Sequence, residues 1–574
     1  MTQQTSGLAR WRLILVVLLL GGGTLALMWQ MARLQLVEHE KYQKQAEREH
    51  WVKVPIVPDR GTIRDANGHP LAIAVSTFDV FVNGDFFQSR QRAEALGRLL
   101  EMSPETIMSR KLERGEKERL VAASVSYQRG VRIKEQAIVG VEVREKMERV
   151  YPEDSLAASV LGFVGRDNVG LTGLEKDLNL ELGGVAGMAV YEGDSLHRPI
   201  PIAFRQVQPP KGGVDVILTI DRYVQRLVES QLDKAVAKHR AKGGTIIVMN
   251  PKTGAILAMA SRPTFDLARL NLADNAQSEL YRNRATTDMY EPGSVLKILT
   301  MAGALDEKLI TPNTAFMDNG PVVKYGWTID TWNGRHHGRE TMTQVLQNSC
   351  NVGAVWISDL LGPERFYKYM KRFGLGQPTY VELSGESPGV VRTDVDPGWR
   401  PIDLATNSFG QGIAITPLQL ATAVSAVANG GLLMRPHLVK AVRGEVGVRT
   451  FEPVVVRRVI SPEAAKQLTE MMRAAAEDGE SKLAIVPDYH IAGKTGTASI
   501  SGEGGYTQQS TIASFVGFAP YNDPEILVLV KIDEPQDEPW GSLVASPVFS
   551  AITRDLLTYF RIPPTAMVAA QGTR

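Results

Sequence analysis

The stretch Glu291-Pro292-Gly293-Ser294-Val295-Leu296-Lys297-Ile298-Leu299-Thr300 decides how this chain is read. Proline and glycine close one segment, and a largely apolar run from Ile298 to Leu305 opens the next, so Ser294 is expected to open a helix. Residues three apart share a helix face, which places Lys297 beside the Ser294 hydroxyl. A serine is a weak nucleophile near neutral pH and needs a base. Lys297 can be that base only after losing its proton, and burial and a second nearby cation both favour that loss.

Two later motifs supply the remaining parts. In Lys494-Thr495-Gly496-Thr497, Lys494 is the expected second cation, and Thr495, Gly496 and Thr497 are expected to bind substrate. That motif sits in an apolar-flanked strand whose free edge could take a peptide as an added strand. In Ser349-Cys350-Asn351, Ser349 can relay a proton to a leaving amine, and Asn351 can offer its amide to Lys297 or to a substrate carbonyl. The backbone N–H groups of Ser294 and Thr497 would form the oxyanion hole. The S-x-x-K and S-x-N patterns each occur once in the chain, whereas K-T-G occurs twice. The other copy, Lys252-Thr253-Gly254, follows Asn250-Pro251 between two apolar strands and precedes Ser294, so it reads as a hairpin turn.

Around these motifs the pattern is α+β. Apolar strands at 245–249 and 255–260 precede a mostly helical middle, and strands return at 491–500, 511–518 and 526–532. Strands at both ends with helices between them imply one antiparallel sheet closed by distant segments. The 574 residues, 44% hydrophobic and 22% charged, describe a globular chain. Lys+Arg at 64 against Asp+Glu at 63 gives no reason to expect a nucleic-acid partner, and the single cysteine excludes an intramolecular disulfide. Arg10 and Arg12 precede the uncharged run Leu13–Ala32, whose length at about 1.5 Å per residue spans the roughly 30 Å hydrocarbon core. The basic flank is expected to place a tail of residues 1–12 in the cytoplasm, the anchor at 13–32 and the bulk outside an inner membrane; the rival reading, a signal peptide cleaved near Thr24-Leu25-Ala26, is disfavoured because the apolar run continues through Leu27, Met28 and Trp29. A charged helical extension is expected from Ala32 to His50, and loops around one short helix from Gly165 to Gly184. The linker Pro209-Pro210-Lys211-Gly212-Gly213 separates a mixed, extended domain at 33–213 from the motif-bearing domain at 214–562, with a tail at 563–574.

The three motifs in this order are the signature of penicillin-binding proteins and β-lactamases. With Arg282-Asn283-Arg284, Ala492-Gly493, Ala498 and Phe515-Val516-Gly517-Phe518-Ala519-Pro520, the chain resembles class B penicillin-binding proteins, and within them the septal FtsI type. Arg60-Gly61, Asp65 and Gly68 resemble one motif of that class's dimerisation-type pedestal, and Gly173-Leu174-Glu175-Lys176 another. The resemblance implies a peptidoglycan D,D-transpeptidase that crosslinks stem peptides ending in D-Ala-D-Ala, is acylated by β-lactams and uses no cofactor or metal. It also implies an FtsW-type glycosyltransferase and other divisome proteins as partners. An elongation-type transpeptidase is the nearest rival, ahead of a β-lactam-hydrolysing enzyme or a non-catalytic binding protein. Ile298 and Trp540-Gly541-Ser542 depart from the family pattern, the latter where an aromatic and two glycines are common. Among the remaining polar residues, Cys350 reads as a small buried residue and His336-His337 as a polar loop without ligand spacing. Arg60 and Asp65 read as a structural ion pair or a partner contact, and Glu477 and Asp478 as a solvated helix end.

Overall fold

The computed structural model describes residues 6–43, 51–165, 167–192, 200, 205–270, 275–502 and 505–564. Residues 1–5 of the expected cytoplasmic tail, 44–50 of the expected helical extension and 565–574 of the expected C-terminal tail lie outside them. Contacts divide the chain into two compact units, Met1–Asp59 with Gly184–Gly212, and Arg60–Gly183 with Gly213–Arg574.

The first unit contains the α-helix Ser6–Ala32, which continues as a π-helical turn at Arg33–Val37. The segment Arg10–Val37 is long and apolar enough to cross a membrane, longer than the uncharged run alone. The same unit holds a three-stranded antiparallel sheet of Trp51–Ile56, Gly187–Glu192 and Arg205–Gln208.

The second unit is built on two sheets. In the larger, Ile63–Arg64 pairs in parallel with Asp215–Leu218, which itself pairs antiparallel with Val439–Gly444. Parallel neighbours need a long crossover, and residues 65–214 supply it. Pro70–Asn83 extends this sheet and carries both Glu118–Ser126 and Val141–Val150. Beneath it lie two short helices, Gly173–Asp177 and Asn179–Gly183, where the sequence suggested one. They bring Glu175 between two arginines: Glu175 Oε2 lies 2.6 Å from Arg60 Nε, and Oε1 lies 2.6 Å from Arg149 Nε. All three side chains are fully buried. The expected Arg60–Asp65 pair is therefore absent. Asp65 instead accepts from the backbone N–H of Asn67, His69 and Arg222, as a short side chain in a tight turn does.

The second sheet has the order Ile256–Arg262, Gly243–Met249, Ile526–Asp533, Gly505–Ala519, Ala492–Gly502, all antiparallel. Its central strands are apolar on both faces because both faces are covered. Ile246, Val248, Val528 and Val530 face a core with the helices Arg222–Lys238 and Gly541–Tyr559. Ile247, Met249, Leu527 and Leu529 face the opposite core, shared with Lys297–Asp306 and Pro417–Ala428. Lys297–Asp306 is buried from Lys297 to Leu305, and a Cβ on Gly303 would lie only 3.0 Å from the Tyr369 ring of the neighbouring helix. The Asn250–Gly254 turn joins two of these strands. Asn250 Oδ1 accepts from the N–H of Lys252 and Thr253, and Lys252 Nζ pairs with Asp523 and Glu525, so this K-T-G copy is structural.

The Arg60–Glu175–Arg149 cluster yields a stability prediction. Glu175→Gln leaves two buried guanidinium groups without a counter-charge, an expected loss of about 3–5 kcal/mol. A fall in the denaturant midpoint of that size checks it. Glu105→Gln, which breaks the exposed pair with Arg90, is expected to stay within about 0.5 kcal/mol.

Candidate active site

Ser294 lies in a 3₁₀ turn, Gly293–Leu296, that runs into the α-helix Lys297–Asp306. It is therefore one turn ahead of the α-helix rather than within it. The tighter winding strengthens the expected contact, because side chains three apart eclipse in a 3₁₀ turn. Lys297 Nζ is 3.0 Å from Ser294 Oγ, 3.1 Å from Ser349 Oγ and 2.6 Å from the Ser349 carbonyl oxygen. The turn is pressed against its neighbours. A Cβ on Gly293, at φ +58°, would lie 2.7 Å from the Thr497 carbonyl oxygen, and one on Gly410 would lie 2.1 Å from that of Gly293. Only glycine fits at either position.

Ser349 is buried and has φ +53°, a left-handed conformation that turns the chain between the helix Met342–Gln347 and the helix beginning at Asn351. Cys350 Sγ caps that second helix by accepting from Gly353 N–H at 3.3 Å. It is fully buried, and burial raises its thiol above the ordinary range, in keeping with a structural role. Asn351 Nδ2 donates to the Asp330 carbonyl oxygen at 2.8 Å and not to Lys297. The reason is local: the loop carrying Asp330 and Thr331 packs on the start of the Asn351 helix, with Thr331 Oγ1 3.6 Å from Cys350 Sγ.

Lys494 lies on Ala492–Gly502, the edge strand of its sheet, as its apolar flanks suggested. Its side chain is buried, with Nζ 3.1 Å from Thr495 Oγ1. Gly541 N–H donates to Thr497 Oγ1 at 3.0 Å, and a Cβ on Gly541 would lie 2.3 Å from the Gly496 carbonyl oxygen. The departure from the family pattern at 540–542 thus keeps the one glycine whose backbone must touch the strand.

Both lysines are shifted. Burial, reinforced by the positive charge of Lys494, lowers Lys297 to about 7. Burial lowers Lys494 to about 8, against a small upward pull from Glu480. Near neutral pH a substantial share of Lys297 is an unprotonated amine, and in that form it can accept a proton from Ser294 or Ser349.

A cleft of about 260 Å³ brings Ser294, Ser349, Asn351, Thr495 and Thr497 together. It is also lined by Trp332, Glu480 and Trp540, of which only Trp540 drew notice in the sequence. Glu480 follows the helix end at Glu477 and Asp478. Glu477 is paired with Arg473 at 2.7 Å rather than simply solvated. No local motif marks Glu480, since only tertiary packing turns it toward the site. Buried Asp318, Glu340 and Cys350 hold ligand-capable atoms within 4.8 Å of one another, and one Glu340 oxygen has no hydrogen-bond partner. They offer three donors where a structural zinc takes four, and the neighbouring His337 side chain is exposed.

The penicillin-binding protein transpeptidase domain family matches residues 244–554, and the penicillin-binding protein dimerisation domain family matches residues 55–218. The chain belongs to the class B penicillin-binding proteins. As a member it is a serine-type transpeptidase, the enzyme class expected from its motifs, and its N-terminal apolar helix is in keeping with the anchor of that class. Stage V sporulation protein D of Bacillus subtilis is 36% identical over 544 residues, covering 93% of this chain and 83% of that protein. Peptidoglycan D,D-transpeptidase FtsI of Buchnera aphidicola is 29% identical over 540 residues, covering 92% of each. Penicillin-binding protein 3 of Mycobacterium tuberculosis, solved in complex with aztreonam, superposes with a TM-score of 0.69 at 27% identity. That match covers 89% of this chain and 98% of the solved one. These relatives place the chain in class B without singling out the FtsI type.

The lysine pair predicts a pH profile. The second-order rate of acylation by a β-lactam is expected to fall as pH drops through about 7, where Lys297 takes up a proton. Lys494→Ala removes the positive neighbour, so Lys297 becomes harder to deprotonate and the falling limb is expected at higher pH. Rate measurements across pH 5–10 for both proteins check the displacement.

Proposed function

We propose that this class B penicillin-binding protein crosslinks peptidoglycan through an acyl-Ser294 intermediate. The observation that carries the reading is the placement of Lys297 Nζ within hydrogen-bond reach of both Ser294 Oγ and Ser349 Oγ, in surroundings that lower its proton affinity. The donor stem peptide lies along the free edge of Ala492–Gly502 as an added strand. The Thr495 and Thr497 hydroxyls and the Lys494 charge hold its terminal carboxylate. Lys297 takes the Ser294 proton as Oγ attacks the penultimate D-alanine carbonyl, and the N–H groups of Ser294 and Thr497 hold the oxyanion. Ser349 passes a proton to the departing D-alanine amine. An amine of a second stem peptide then displaces Ser294 and forms the crosslink.

β-Lactams present a reactive amide to the same serine, and the aztreonam complex of the Mycobacterium tuberculosis relative supports this. We assign the pedestal to 33–213 and the transpeptidase domain to 214–562. The finer role we propose is septal, with an FtsW-type glycosyltransferase and other divisome proteins as partners, supported by the FtsI likeness. The higher identity to a protein named for sporulation favours a second reading, crosslinking during sporulation. Localising a tagged copy through growth and sporulation separates the two.

Ser294→Ala is expected to abolish covalent labelling by a fluorescent penicillin in a folded protein, whereas Cys350→Ala labels nearly normally. Lys297→Arg is expected to slow acylation by about 10²–10⁴-fold, because a guanidinium keeps its proton. Lys494→Arg, which retains the charge, is expected to lose less. Near-parental acylation by Lys297→Arg would remove Lys297 from the role of base. For topology, a reporter active only in the cytoplasm, fused after Arg574, is expected to be silent; activity there would reverse the orientation.

A further inference from the structure

Transpeptidation needs two substrates of opposite end-group charge. The donor ends in a carboxylate, and buried Lys494 with the Thr495 and Thr497 hydroxyls suits it. The acceptor brings a primary amine, which in water is an ammonium ion. Among the described residues lining the cleft, Glu480 is the one that carries a formal charge, and that charge is negative.

Glu480 is held in place from several sides. A Cβ on the preceding Gly479 would lie 2.5 Å from the Ala475 carbonyl oxygen and 2.7 Å from that of Gln347, so the backbone is packed against two elements there. The following Ser481 is buried. Glu480 Oε1 accepts from the Trp332 indole N–H at 2.6 Å, which leaves lone pairs of a half-buried carboxylate facing the cleft side. The Trp332 ring is partly exposed and lies 4.5 Å from the Trp540 ring, centroid to centroid, with the planes inclined at 56°. A carboxylate at the edge of one indole, with a second indole packed on the first, offers an alkylammonium ion an ion-pairing partner beside aromatic surface that can attract it by cation–π contact.

This placement also has an opposing effect. The negative charge of Glu480 pulls both lysines toward their protonated forms, which suits Lys494 as a cation but opposes Lys297 as the base. A glutamine could accept the same Trp332 hydrogen bond without that effect. The indole contact alone therefore does not account for the negative charge, which besides supporting the charged form of Lys494 lies on the cleft lining, where an incoming cation can meet it.

We propose that Glu480, with Trp332 and Trp540, forms the acceptor subsite and selects an alkylammonium acceptor for the acyl-enzyme. This rests on the transpeptidase reading of the same cleft. The ammonium docks on Glu480 and gives up one proton to solvent on moving toward the ester. The neutral amine nitrogen attacks the acyl carbonyl; a C–N bond forms and the bond from carbonyl carbon to Ser294 Oγ breaks. The second amine proton passes through Lys297 to Ser294 Oγ, which restores the hydroxyl and leaves an amide crosslink. Glu480 is an acceptor-binding residue in this scheme and exchanges no proton with the reacting groups.

The test compares how one acyl-enzyme partitions between acceptors, a ratio that does not depend on how fast the acyl-enzyme forms. A thioester analogue of the donor peptide loads Ser294. A lysine-containing tripeptide with a free ε-amine serves as charged acceptor, hydroxylamine as an acceptor uncharged at neutral pH, and water as the reference. In Glu480→Gln the ratio of tripeptide aminolysis to hydrolysis is expected to fall about tenfold, with the loss in acceptor KM, while the hydroxylamine ratio holds within twofold. Glu480→Asp, which keeps the charge, is expected to recover part of the tripeptide ratio. An unchanged tripeptide ratio in Glu480→Gln, or an equal fall for both acceptors, overturns the subsite. Failure of the underlying reading is distinguishable, because it would appear as continued acylation of Ser294→Ala.

Discussion

Two lysine side chains are buried side by side behind one cleft, and the arrangement of the site follows from that constraint. Lys297 and Lys494 are each taken almost entirely out of water, and among the hydrogen bonds described, hydroxyl and carbonyl oxygens meet them rather than carboxylates. Desolvation disfavours charge on both, and the positive charge of Lys494 disfavours it further on Lys297. The protein resolves the conflict unevenly. Lys297 sits lower and is surrounded by oxygens that accept or give a proton, whereas Lys494 stays closer to its charged form. Two identical side chains thus acquire different proton affinities through placement alone.

That placement depends on backbone contacts that tolerate no side chain. The serine turn, the loop at Gly410, the edge strand at Gly496 and the helix start at Gly541 meet at carbonyl oxygens where a Cβ would lie 2.1–2.8 Å away. These contacts tie four parts of the chain into one rigid frame, and they bring Ser294 and Thr497 to the lining of the same cleft. Rigidity matters here because a base works only within hydrogen-bond reach of the proton it takes. The buried sheet behind this frame gives it support, since its strands are packed on both faces by helices that include the one bearing Lys297.

The Arg60–Glu175–Arg149 cluster applies the same physics outside the cleft. Where the catalytic cleft separates like charges to tune them, this cluster joins unlike charges so that burial is tolerated at all. It also accounts for two pedestal motifs that lie more than a hundred residues apart in sequence: Arg60 and Glu175 are the two halves of one interaction.

Much of this was legible in the sequence because it is carried by short-range pattern. The apolar strands, the N-terminal apolar helix, the three motifs in order, the free edge of the Lys494 strand and the turn role of Lys252-Thr253-Gly254 all follow from periodicity, punctuation and local residue chemistry. The 3₁₀ geometry at Ser294 was not legible, because it depends on Gly293 and Gly410 closing against each other across more than a hundred residues. Nor was the bond from Asn351 to Asp330, the pairing of Arg60 with Glu175 instead of Asp65, or the approach of Asp318 and Glu340 to Cys350. Glu480 marks the boundary most clearly. By itself the sequence determined which residue types could perform acyl transfer and in what order they occur. Only the tertiary structure decided which solitary carboxylate faces them, because nothing local distinguishes a glutamate that points into a cleft from one that points into water.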